Sequence, residues 1–166
     1  MFNLFISNFT DNHQFKPVLF IPGETDPLKV IQETKLLGYW LTSDMKPRKH
    51  VDYIISRAIK KMWTIRRLKS AKCNNTDLVN IFILLIRSIL ETDCPVFHSQ
   101  LTDEETADIE RVQKIFTKIV LGGKYSNYED ACKVLNLTLL KTRREDLCLK
   151  FALKCLKNEN LSSMFV

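Results

Sequence analysis

The most informative segment of the chain is Arg48–Lys72, RKHVDYIISRAIKKMWTIRRLKSAK. Its apolar residues recur at steps of three and four, which is typical of one side of an α-helix: Val51, Ile54, Ile55, Ala58, Met62 and Ile65. At about 100° per residue, the opposite side interleaves basic and aromatic residues with small polar ones: Lys49, Tyr53, Ser56, Lys60, Trp63, Thr64 and Arg67. The stretch therefore predicts an amphipathic helix with a cationic outer face.

Positive charge is concentrated in this helix. From Lys46 to Lys72 there are ten basic residues and one acid, Asp52, a net charge of +9, whereas the whole chain carries +6 and the remainder therefore −3. Such a concentration is typical of a surface that binds a polyanion. Lysine and arginine neutralise phosphates, and exposed aromatic rings stack on bases or sugars. The alternative interpretation is a solvated helix face with Trp63 buried against a neighbouring element.

The residues predicted to contact nucleic acid are Lys49, Tyr53, Arg57, Lys60, Lys61, Trp63, Arg66 and Arg67. Arg143-Arg144 form a second basic point. Because Glu145 and Asp146 follow at once, an internal salt bridge is an equally good interpretation of that pair. Arg87 stands alone in an apolar helix, and we expect it to pair with Glu91, four residues later on the same face.

Length and composition indicate an ordinary folded protein. A chain of 166 residues that is 45% hydrophobic and 27% charged can form one globular domain with a real core. Its five cysteines include no C-x-x-C pair, so neither a zinc site nor a disulfide framework is indicated. We expect reduced thiols and an intracellular location, cytoplasmic or nuclear. The apolar run Ile81–Ile86 is too short to cross a membrane.

No motif indicates an active site. The acids of the predicted third helix are explained by capping and by the helix dipole, and the three histidines, His13, His50 and His98, are isolated. A glycine-rich phosphate loop is absent from the sequence. We therefore predict no catalytic residues, no metal, no cofactor, no small-molecule substrate and no membrane partner.

The pattern predicts an α+β fold that is mostly α: a small N-terminal antiparallel sheet over residues 1–45, a bundle of about five helices over 46–157, and a frayed tail at 158–166. The predicted strands are Phe2–Phe9, Val18–Ile21, Leu28–Ile31 and Lys35–Leu41. The helices after Arg48–Lys72 are Asp77–Thr92, Asp103–Leu121, Asn127–Leu135 and Leu139–Lys157.

Capping residues mark the ends of these helices. We expect Asn75 or Thr76 to cap the second helix, which should be the buried central one, and Pro95 to end it. Capping boxes are predicted from Thr102 to Glu105 and from Ser126 to Glu129, and Gly122-Gly123 should end the third helix.

Several short strings, taken in order, resemble a known family. They are Thr34–Gly38, Lys49-His50-Val51, Arg66-Arg67-Leu68, Arg87–Glu91, Cys94–His98, Ile109–Lys114, Ile119–Gly122, Tyr128–Ala131, Leu139 and Arg143–Glu145. Their order and spacing are similar to the C-terminal part of the reverse transcriptase of jockey-like non-LTR (LINE-type) retrotransposons, over residues 15–157. The resemblance implies the end of the palm, then the thumb and a connector.

In that family the thumb holds the template–primer duplex, so the resemblance assigns this role to the helix around Arg57–Lys69. It also implies that the catalytic palm and the fingers are partners missing from this chain. The paired aspartates of the palm have no counterpart here, and Thr92 and Phe97 stand where the family commonly has aromatic residues and Trp. The expected function is non-catalytic binding of nucleic acid. The alternative is a retroelement-derived helical protein-interaction module or a remnant without function.

Overall fold

The computed structural model describes residues 30–158. The described residues fall into two compact units, residues 30–50 and residues 51–158. Helices make up 73% of the described residues and follow one two-stranded antiparallel sheet, which confirms the predicted mostly helical α+β fold. The predicted strands Phe2–Phe9 and Val18–Ile21, and all of the predicted tail except Asn158, lie outside the described residues.

The sheet of the N-terminal unit is a hairpin of β1 (Glu33–Leu36) and β2 (Tyr39–Thr42). The prediction of a single strand over Lys35–Leu41 is wrong, because the chain reverses at Leu37 and Gly38. Both residues have positive φ, 49° and 102°, the backbone that a two-residue hairpin turn requires. Of the predicted strand Leu28–Ile31, the described residues Val30 and Ile31 are not in a strand.

A polar turn leads from β2 into the first helix. Asp44 Oδ1 accepts hydrogen bonds from the Thr42 hydroxyl at 2.7 Å and from the Lys46 N–H at 3.1 Å. These bonds, the one from Thr42 first, lower the pKa of Asp44 below its ordinary value. The Trp40 N–H donates to His50 Nδ1 at 3.4 Å, so the hairpin is tied to the first turn of the helix within this unit.

Helix α1 (Arg48–Ser70) confirms the predicted amphipathic helix. The predicted inner residues Val51, Ile54, Ala58, Met62 and Ile65 are at most 1% exposed, whereas Ile55 is only half-buried. The helix ends in a Schellman motif. The Cys73 N–H donates to the Leu68 carbonyl at 3.1 Å, and Lys72 takes the left-handed conformation at φ 60°.

The second predicted helix is interrupted. It comprises α2 (Asn75–Phe82), a π-helical turn (Ile83–Arg87) and α3 (Ser88–Glu91). Its cap is Asn74, whose Oδ1 accepts from the Asp77 N–H at 2.7 Å, so the prediction of Asn75 or Thr76 is wrong. The helix begins at Asn75, two residues before the predicted start at Asp77, and the cap moves with it.

The prediction of a buried central helix is wrong for one side of this segment. Leu78, Phe82, Ile86 and Leu90 are fully buried, but Leu84 is 70% exposed. Because a π turn is wider than an α-helical turn, residues four positions apart stay on the same side of this segment. The four buried residues therefore form a single apolar stripe. Pro95 does not end the segment. It ends at Glu91, where the C-cap Thr92 leaves the helical conformation with ψ 134°, and Pro95 lies in the first turn of α4 (Cys94–Phe97).

Helix α5 (Asp103–Leu121) follows the 3₁₀ turn His98–Gln100, and its predicted capping box is confirmed. The Glu105 N–H donates to Thr102 Oγ1 at 3.2 Å, and the Thr102 N–H donates to Glu105 Oε2 at 2.9 Å. Gly122 ends the helix at φ 55° and opens the 3₁₀ turn Gly122–Lys124, which confirms the predicted glycine stop.

The cap of α6 (Tyr128–Val134) is Asn127, whose Oδ1 accepts from the Asp130 N–H at 2.9 Å. The predicted capping box of Ser126 and Glu129 is therefore wrong by one residue. Both residues before the helix are good caps by type, and the observed start of the helix selects Asn127.

Helix α7 (Leu140–Lys157) has no side-chain cap of its own. Glu110, on α5, takes that role: its two carboxylate oxygens accept from the Leu140 N–H at 2.9 Å and the Lys141 N–H at 3.0 Å. The Tyr128 hydroxyl also donates to Glu110, and burial together with this carboxylate raises the pKa of Tyr128. Glu110 therefore joins α5, α6 and α7, whereas the sequence suggested only a dipole role for it.

The buried hydrophobic residues of the helical unit come mainly from α1, from the segment α2–α3 and from α5. Among them, the rings of Phe82 and Phe116 stack with centroids 4.1 Å apart. Across residues 30–158, every helix is either too short or too polar to span a lipid bilayer.

Candidate nucleic-acid interface

Trp63 is at the centre of the outer side of α1. Its side chain is 60% exposed, so the alternative of a buried indole is wrong. The Arg67 guanidinium lies over its ring, with Cζ 4.7 Å from the centroid. Arginine four residues after an aromatic residue reaches back over that ring because side chains at this spacing share a helix face. Lys60, on the same side, is also exposed.

A second pair of this kind lies nearer the start of the helix. Arg57 Cζ is 5.4 Å from the centroid of the half-buried Tyr53 ring. The two arginines are ten residues apart, which corresponds to about 15 Å along the helix axis. The spacing of four residues within each pair was readable in the sequence, and it is the signal by which the pairing could have been found.

Lys61 and Arg66 lie at the two edges of this side of α1, and both are exposed. Among residues 30–158, no carboxylate lies within ion-pair distance of Arg57, Lys60, Lys61, Arg66 or Arg67. We call these five residues, with Tyr53 and Trp63, the cationic face. Its positive potential is not neutralised locally by the described part of the chain, so it acts on the surrounding solvent.

Lys49 has different surroundings from the rest of the predicted set. It belongs to the N-terminal unit, where it forms an ion pair with Glu33 on β1. Its Nζ also lies 4.3 Å from the centroid of the Trp40 ring. Lys49 is half-buried, and its charge is largely neutralised by Glu33 within that unit.

The second basic point of the sequence is inside the helical bundle. Arg143 donates from Nε and Nη2 to the two oxygens of Glu91, at 2.5 and 3.1 Å. The internal salt bridge is therefore confirmed for Arg143, with Glu91 as its partner and not the adjacent Glu145 or Asp146 that suggested it. Arg87 Nε also lies 3.6 Å from Glu91, which confirms the predicted pair. Glu91 raises the pKa of Arg143, whereas burial and the nearby Arg143 charge lower that of Arg87.

Arg144 is completely buried. Within the described residues, its three guanidinium nitrogens have no hydrogen-bond acceptor. Burial lowers its pKa, and Glu110 partly opposes that shift. For Arg144 the internal salt-bridge interpretation is therefore wrong within the described residues. Its position four residues after the buried Leu140 places it on the inner face of α7.

The structure thus gathers seven of the eight predicted contact residues on α1 within the helical unit. Across residues 30–158 no three acidic, histidine or cysteine side chains are arranged to hold a metal ion. Compared with protein-family models, curated proteins and solved structures, the chain has no significant match.

Proposed function

We propose that the protein binds a template–primer nucleic-acid duplex through the cationic face of α1, as the non-catalytic C-terminal part of a jockey-like retrotransposon reverse transcriptase. The observation that carries the proposal is the exposure of this face together with the absence of ion pairs between its cations and the described carboxylates. The family resemblance supports the same helix independently of its charge. The catalytic palm and fingers would be separate partners.

The arrangement favours contact with phosphates and sugars over reading of base sequence. Lysine and arginine side chains on one helix face fix the position of a duplex by its backbone and carry no sequence information. An RNA–DNA hybrid with A-like geometry is recognised by its shape in this way. Trp63, exposed beside Arg67, offers a ring on which an unpaired template base can stack.

The decisive experiment is the salt dependence of binding. The full chain is titrated into a fluorescein-labelled RNA–DNA hybrid with a template overhang, and anisotropy is measured between about 50 and 200 mM salt. About four phosphate contacts predict a log–log slope of roughly −3 to −4 and a loss of about 100-fold in affinity over that range. In the double variant Lys60→Ala, Arg67→Ala the slope becomes shallower by roughly 2.

The matched control is Lys150→Ala, Lys154→Ala, which removes two exposed cations from α7 and has the same net charge as the test variant. The control keeps the slope of the unmodified chain. Equal losses in both double variants, or binding that is insensitive to salt, would contradict the proposal.

A second candidate function is supported by α7. Leu149, Leu153 and Leu156 lie on its outer side at helical spacing, and each is about half or more exposed. An exposed apolar stripe of this kind is typical of a protein-binding surface, as expected for a retroelement-derived interaction module. Under this alternative no hybrid binding is seen even at low salt, whereas Leu153→Asp abolishes association with a protein partner.

A further inference from the structure

Two cysteines of the helical unit are in direct contact. Cys94 Sγ, at the start of α4, and Cys148 Sγ, on α7, are 3.7 Å apart although 54 positions separate them in the sequence. Both thiols are free. The sequence contained no signal for this pair, because its spacing matches no cysteine motif.

The geometry is that of a pair poised to form a covalent bond. A disulfide joins two sulfurs at about 2.05 Å, so these sulfurs need to approach by less than about 2 Å. The four-residue helix α4 lies between Asp93, in the left-handed conformation, and a 3₁₀ turn. A segment so short can shift more easily than α7, which is 18 residues long.

The two thiols differ in accessibility. Cys94 is fully buried, and its Sγ lies 3.7 Å from the Arg144 carbonyl. Cys148 is half-buried, so it is the thiol that a small reagent reaches first. Burial, followed by the neighbouring Cys148, raises the pKa of Cys94 to about 12, with Arg144 opposing and Glu91 adding to the shift.

We propose that Cys94 and Cys148 form a reversible intramolecular disulfide on reaction with a small-molecule disulfide such as oxidised glutathione. In the first step the Cys148 thiolate attacks one glutathione sulfur, a mixed disulfide forms, and one glutathione thiolate leaves. In the second step Cys94, after loss of its proton, attacks Cys148 Sγ and releases the second glutathione. Two protein thiols are oxidised, one small disulfide is reduced to two thiols, and the protons of the cysteines end on glutathione.

The second step is the slow one, because the buried Cys94 thiol is rarely ionised near neutral pH and the thiolate is the attacking species. Once formed, the bond joins α4 covalently to α7 and closes a long loop of the chain. Loop closure lowers the conformational entropy of the unfolded state. The oxidised protein is therefore the more resistant to heat. The inference is independent of nucleic-acid binding, since neither cysteine lies on α1.

To test the proposal, the reduced full chain is incubated with excess oxidised glutathione, residual thiols are alkylated, and the protein is analysed by mass spectrometry and proteolytic mapping. The expected product is a monomer in which Cys94 and Cys148 are linked and the other three cysteines are alkylated. Its thermal midpoint is raised by roughly 10 °C, and reduction reverses the shift.

Three variants give the test its controls. Cys73→Ser changes another half-buried cysteine and leaves the linkage and the thermal shift intact. Cys148→Ser forms no disulfide with Cys94. Cys94→Ser stops at the glutathione adduct on Cys148, which also shows that the first step does not need the buried partner. Linkage of either cysteine to Cys73, Cys132 or Cys155, a persistent adduct in the unmodified chain, or no reaction at Cys148 would overturn the proposal.

Discussion

Arg66-Arg67 on α1 and Arg143-Arg144 on α7 are the same dipeptide in two helices of one unit, and their surroundings are opposite. The first pair is exposed and has no carboxylate within reach among the described residues. In the second, Arg143 is held by both oxygens of Glu91, and Arg144 is completely buried. A cation can bind an external anion only where the fold leaves its charge unpaired.

The difference has an energetic side. An exposed arginine keeps its hydration and exchanges water for an incoming phosphate at little cost. A buried arginine has already lost that hydration, and only strong local hydrogen bonds offset the free-energy cost of that loss. The half-buried Arg143 has such bonds to Glu91, whereas the fully buried Arg144 has none from the described residues. Arg143 therefore stabilises the bundle, whereas Arg144 destabilises it.

The largest expected effect comes from breaking the contacts that Arg143 makes with Glu91. Glu91→Gln removes the negative charge shared by Arg87 and Arg143 and should lower the free energy of unfolding by about 2–3 kcal/mol. The measurement is urea denaturation followed by circular dichroism. Glu129→Gln, at an exposed position on α6, is the control and should change stability by less than about 0.5 kcal/mol. Equal effects of the two substitutions would show that the Glu91 contacts contribute no more than a surface charge.

A smaller effect of opposite sign is expected at Arg144. Arg144→Met keeps much of the side-chain volume and removes a desolvated charge, so it should raise the free energy of unfolding by about 1–2 kcal/mol. Arg67→Met should change stability by less than about 0.5 kcal/mol but weaken hybrid binding several-fold, which Arg144→Met should not do. Denaturation and anisotropy on both variants check this crossed pattern. A strong loss of stability in Arg144→Met would contradict our account of its surroundings.

The smallest effect concerns pH. Burial first, and the Arg144 charge second, lower the pKa of His98 below its ordinary value of 6.5, with Glu145 opposing and Lys141 assisting. The unfolded chain therefore gains this proton before the folded chain does. The contribution of His98 to the free energy of unfolding is fully present above pH 6.5. It is lost as the pH falls through the pKa of His98 in the folded state.

Denaturation at several pH values between about 7 and 5 measures this contribution. The loss of stability should be smaller in His98→Gln than in the unmodified chain, and the difference reports His98 alone. It should also shrink in Arg144→Met, where one of the two causes of the lowered pKa is gone. A His98→Gln variant with an unchanged pH dependence would rule out this role.

The sequence predicted α1 and α5 well because their patterns are long and their ends carry strong signals. A period of 3.6 residues over more than five turns leaves little ambiguity for α1, and the Thr102–Glu105 capping box fixes the start of α5. The caps at Asn74 and Asn127 were missed by one or two positions. At both places several polar residues precede the helix, and packing of the apolar face selects the one that caps.

The hairpin was missed for a different reason. Because leucine rarely takes a positive φ, Leu37 and Gly38 look like the middle of a strand in the sequence. The turn becomes evident only from the pairing of Glu33–Leu36 with Tyr39–Thr42. For the cationic face, charge and periodicity predicted the residues themselves, but their exposure depended on which other helices cover α1.

Periodicity and composition within single segments encode the long helices, the side of α1 that faces the core and the place where positive charge collects. Which arginines remain available for binding depends instead on how the helices pack. This packing brings Glu91 to Arg143 and Glu110 to the start of α7, and it sets Cys94 against Cys148. Electrostatic pairing and sulfur contact depend on distances between side chains far apart in the chain, and no local pattern encodes those distances.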